Sequence, residues 1–156
     1  MDKLHSIIAY LCVNYPYKED LSKARLTKLV YLADWFSALA DNKQLTNINW
    51  LFNHYGPYVD DVIDSIKFNP KFNIDRTSTM YGTEKSIIGY DGDFLDSNLT
   101  PRDKQILQLV ITKTSTMYFN DFINYVYSTH PVQTSNRYSN LDLVSLAHDY
   151  KNQVNH

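Results

Sequence analysis

Residues 50–61 read WLFNHYGPYVDD: rings crowd around a Gly-Pro pair and two carboxylates follow. How this stretch folds decides the architecture. Ile48, Trp50 and Phe52 alternate with polar Asn49 and Asn53, a period of two that predicts a short half-buried strand. Gly56 permits a sharp reversal and Pro57 suits the first position of a helix, so the expected order is strand, turn, helix. Val59, Val62, Ile63 and Ile66 would form the buried face of that helix, with Tyr58, Asp61 and Ser65 turned away. Asp60, Asp61 and Asp64 would occupy its first two turns, where a surface carboxylate gains roughly 0.3–1 kcal/mol from the helix dipole.

Upstream, Leu4, Ile7, Ile8, Leu11 and Cys12 fall on one helical stripe that Pro16 ends. In LSKARLTKLVYLADWFSALADNK, Leu26, Leu29, Val30, Ala33 and Phe36 recur at three and four, with Ser22 as N-cap. Tyr31 and Trp35, one turn apart beside Asp34, flank that stripe as extra core or as the rim of a contact surface. Downstream, FNIDRT and EKSIIGY flank STMYGT, whose Gly82 supplies a hairpin turn. Thr100-Pro101-Arg102-Asp103 has the cap, first-turn proline and following acid of a helix start, with Ile106, Leu109 and Val110 inward. Phe119, Phe122, Ile123 and Val126 mark another helix, stopped by His130-Pro131. Ser139-x-x-Asp142 opens the last, with Leu143, Leu146, Ala147 and Tyr150 inward. These elements make one α+β domain over residues 1–156, mostly helical around a small antiparallel sheet or hairpin.

The 156 residues suffice for a core without metals or disulfides. Thirteen tyrosines and seven phenylalanines give ring surface suited to half-buried, half-wet positions. A net charge of −2 with scattered basic residues makes nucleic acid an unlikely partner. One cysteine fits a reducing compartment, and no stretch reads as a membrane span, so a cytoplasmic protein is expected.

Chemistry leaves few marks. His5, His54, His130, His148 and His156 show no metal-ligand spacing, and Cys12 has no base and lies on an apolar stripe. No G-x-S-x-G, G-x-G-x-x-G or Walker pattern occurs, so neither cofactor nor metal is expected and an enzyme centred on His54 and Asp61 is a remote reading. A DNA-binding regulator using the helix pair over 101–129 is the stronger rival, although YFNDFINYVYSTH contains no Arg or Lys to hold phosphates.

The run RLTKLVYLADWFSALADNKQLTNINWLFNHYGPYVDDVIDSIK resembles the Panacea antitoxin domain of the SocA-like family. The resemblance rests on Leu26, Lys28, Leu29, Tyr31, Ala33 and Trp35 in L-x-K-L-x-Y-x-A-x-x-W, on the strand into Gly56-Pro57, and on the helix after it. It spans roughly Leu21 to Ala147, counting YSTHPVQTSNRYSNLDLVSLA. Tyr58 departs from the valine that many relatives carry there, which implies a particular branch and a different partner. The resemblance implies a non-enzymatic antitoxin that neutralises a neighbouring-gene toxin by direct binding, with a protease as second partner where a member acts as an adaptor. The expected partner-binding residues are Tyr31, Asp34, Trp35, His54, Tyr55, Tyr58 and Asp61, a mixed aromatic and acidic patch.

Overall fold

The computed structural model describes residues 2–78, 82, 84–94 and 98–154. Of the described residues 55% are helical and 16% lie in strands, an α+β fold with small antiparallel sheets. The chain gathers into two compact units, residues 1–27 with 60–116 and residues 28–59 with 117–156.

In the first unit, α1 (Lys3–Asn14) starts where Asp2 Oδ1 accepts the His5 amide hydrogen at 2.8 Å. It buries Ile7, Ile8, Leu11 and Cys12, as the apolar spacing predicts. Burial pushes the Cys12 thiol up to about 12, which removes it as a nucleophile. Ser22 Oγ accepts the Arg25 amide and caps α2 (Lys23–Asp41), whose first turn belongs to this unit. The hairpin of β3 (Phe72–Ser78) and β4 (Glu84–Tyr90) runs in register from Phe72↔Tyr90 to Ser78↔Glu84. Gly82 holds φ +78 between them; the other turn residues, 79–81 and 83, lie outside the described set. Thr100 and Asp103 complete a reciprocal capping box on α4 (Pro101–Thr114). Its inward face is Ile106, Leu107, Val110 and Ile111, whereas Leu109, expected inside, is 43% exposed. Pro57 does not open the helix that follows. That helix, α3 (Asp61–Ile66), starts after Asp60 and buries Val62, Ile63 and Ile66.

The second unit holds the rest of α2 and a three-stranded sheet in the order β2-β1-β5. Strand β1 (Trp50–Asn53) buries Trp50 and Phe52 on one face. The residues expected to begin a helix instead form β2 (Gly56–Tyr58), paired back on β1 with Asn53↔Gly56, Phe52↔Pro57 and Leu51↔Tyr58. Gly56 at φ +96 completes the reversal around His54-Tyr55, so the chain returns along β1 before any helix begins. Strand β2 is an edge strand, where the missing N–H of proline is tolerated. On the opposite edge, β5 (Asn140–Leu141) pairs Leu141 with Trp50 and Asn140 with Leu51. Asn42, at φ +59, follows the end of α2, a left-handed position that asparagine accepts.

Helix α5 (Phe119–Tyr127) buries Phe122 and Val126 while Phe119 is 46% exposed. His130-Pro131 lies within the first turn of the short α6 (His130–Thr134) rather than merely ending α5, because proline fits a first helical turn. Helix α7 (Leu143–Val154) is capped by Asp142, whose Oδ1 accepts the Ser145 amide, since Ser139 is held further back, bonded to β1. Leu143 and Ala147 are buried, but Tyr150, expected inward, is on the rim.

Candidate functional site

The residues singled out in the sequence divide by depth. Tyr31, Asp34 and Trp35 are buried in the second unit and cannot touch a partner while it keeps this conformation. The reason is that Asp34 finds all its partners inside. Its Oδ1 accepts the Thr46 amide hydrogen at 2.9 Å. Its Oδ2 accepts the Thr46 hydroxyl at 2.5 Å, the Trp50 indole N–H at 2.8 Å and the Gln44 amide at 3.3 Å. Gln44 also donates to the carbonyls of Thr46 and Ile48, so one carboxylate anchors the connection from α2 into β1. Burial pushes the Asp34 carboxyl up to about 6, against the pull of these hydrogen bonds.

Tyr31 meets Trp50 edge to face at 5.6 Å, and its hydroxyl lies 2.8 Å from Thr129 Oγ1. Thr129 gives its own hydroxyl hydrogen to the Val126 carbonyl, so Tyr31 is the donor of the pair. Burial raises the Tyr31 phenol, which stays protonated. Trp35 stacks on His130 at 6.4 Å and meets Tyr150 edge-on at 6.2 Å.

Lys28 is 2% exposed, and its ammonium lies 5.8 Å over the Tyr58 ring. Burial lowers its pKa to about 8. No carboxylate among the described residues pairs with it.

The exposed candidates sit at the turn between β1 and β2. His54 and Tyr55 pack edge-on at 4.6 Å, and Tyr55 is 76% exposed. His54 Nδ1 lies 3.2 Å from the hydroxyl of Tyr138, which is 64% exposed. Tyr138 and its neighbour Arg137 fall in the polar run QTSNRYSN, where a tyrosine and an arginine among small polar residues are the one available signal. The backbone brings them here, because Tyr138 N–H donates to the Phe52 carbonyl and Phe52 N–H donates to the Ser139 carbonyl. Tyr138 adopts φ +68, a left-handed conformation unusual for a bulky residue. Beneath the tip, Phe52 meets Tyr127 edge-on at 6.3 Å, and a Cβ on Gly56 would come within 3.3 Å of the Tyr127 ring. Tyr58 is half-buried on β2. Asp61 is exposed and belongs to the first unit, at the start of α3.

The second unit is thus a small helical and β assembly that raises a ring-rich hairpin tip over a buried polar anchor. A family model for the antitoxin SocA-like, Panacea domain matches residues 26–131, and the chain belongs to that family. No curated protein and no solved structure matches the chain significantly. Among the described residues no helix is long and apolar enough to cross a membrane, and no cluster of three His, Cys, Asp or Glu side chains is placed to hold a metal ion.

Proposed function

We propose that this antitoxin-family chain neutralises a toxin encoded beside it by binding it directly, without catalysis, through the tip of the β1–β2 hairpin. The observation carrying this reading is the cluster of His54, Tyr55 and Tyr138, rings left in solvent although the backbone beneath them is fixed. Tyrosine gives large contact area at small entropic cost, since few torsions need freezing. Tyr58 on the neighbouring edge strand extends the surface. Tyr31 and Asp34 act from below as positioning residues that hold β1 on α2, and Trp35 packs the same helix against His130 of α6 and Tyr150 of α7.

The test is growth of bacteria expressing the adjoining reading frame with and without this chain. Rescue together with co-purification of the two proteins supports the proposal. A harmless neighbour, or failed rescue when both proteins are soluble, refutes it.

A further inference from the structure

We infer that the hairpin tip receives a carboxylate-bearing segment of its protein partner, with Arg137 as the group that takes the acid. This rests on the toxin-binding reading of the same face. The Arg137 guanidinium lies 5.6 Å over the Phe52 ring. Its side chain is exposed, and it makes no hydrogen bond or ion pair to any described residue. A guanidinium held over a ring by cation–π attraction keeps its N–H groups available for bidentate capture of a carboxylate. Phe52 is held in β1 and against Tyr127, and the backbone bonds of Tyr138 and Ser139 to Phe52 tether the loop bearing Arg137. The loop backbone therefore has little freedom left to lose on binding.

Charge points to the same occupant. Segments 52–58 and 136–140 contain no Asp or Glu, so neither segment supplies Arg137 with an acid of its own. They contain no second Arg or Lys either. A lone cation suits one carboxylate; a nucleic acid backbone calls for several phosphate contacts. Tyr55, Tyr138 and His54 supply a ring-rich border that excludes water around the pair.

The experiment measures affinity between the full chain and the purified product of the adjoining reading frame. Arg137→Glu should weaken binding by about 30-fold or more, the level of an interface hot spot. Arg137→Lys keeps the charge without the fork and should fall between the two; it also serves if the reversal disturbs folding, which thermal melting reveals. Replacing the partner's surface carboxylates singly by arginine should yield one variant that restores Arg137→Glu to within about threefold of the native pair. If Arg137→Glu binds like the native chain while Tyr55→Ala binds weakly, the acid capture is wrong and the docking face stands. If both bind natively, both ideas fall, as they do if the two proteins never associate. Arg137-dependent binding of a short single-stranded RNA, with toxin affinity unmoved by Arg137→Glu, overturns the proposal in favour of phosphate.

Discussion

Asp34 accepts the indole hydrogen of Trp50 at 2.8 Å, joining the middle of α2 to the first residue of β1 inside the core. Its carboxyl titrates near 6 when folded, against 3.8 for a free aspartate, because burial penalises its charge. Between those values the folded chain binds more protons than the unfolded one, so this group's contribution to stability falls as pH rises from 4 to 6 and is level above. The fall amounts to about 3 kcal/mol. Asp34→Asn should remove it, while costing about 1–3 kcal/mol at low pH because an amide cannot accept from every donor around it. Urea unfolding of both proteins from pH 4 to 7 isolates the difference; parallel curves would contradict the assignment.

Gly56 combines φ +96 with a Tyr127 ring that leaves only 3.3 Å for a Cβ. Gly56→Ala should destabilise the chain by about 1–2 kcal/mol, chiefly through backbone strain. An unchanged urea midpoint would mean that the turn relaxes without loss.

Lys28 shows the opposite electrostatic sign. Its pKa is lowered to about 8 from 10.5 by burial, so between those values the unfolded chain binds the extra proton and stability rises with pH. Below pH 8 the penalty is constant at about 3 kcal/mol. Lys28→Met, similar in length, should therefore stabilise the chain at pH 7 by up to that amount, and the gain should shrink between pH 8 and 10.5. Destabilisation at pH 7 would show that contact with the Tyr58 ring outweighs desolvation.

Tyr138 should separate stability from function. Replacing it by glycine relieves the φ +68 strain, and the expected change in stability lies between none and about 1 kcal/mol gained. The same substitution should weaken toxin binding by removing an exposed ring and its contact with His54. Loss of both stability and binding would make Tyr138 a packing residue.

Much of this fold was legible because its signals are local. The Thr100–Asp103 capping box, the β3–β4 hairpin and the stripes of α1 and α2 each declare themselves within a few residues. Pro57 misled because proline is favoured both at a helix start and on an edge strand, and only pairing with β1 decides between them. Strand β5 has two residues and exists through β1, so no local period could reveal it. At the site, His54 and Tyr55 stood out beside a glycine. Arg137 and Tyr138 did not, since their place depends on backbone bonds to Phe52, more than eighty residues earlier. Tyr31, Asp34 and Trp35 were visible as a cluster, but their depth follows from partners on the 44–50 segment, α6 and α7.

The central claim is that the hairpin tip grips the toxin, and hydrogen–deuterium exchange of the chain alone and in complex with its toxin tests it most directly. The account predicts new protection in peptides covering residues 52–58 and 136–139, with little change on α4. Protection confined to other segments, with these two exchanging as freely as in the unbound chain, would contradict it.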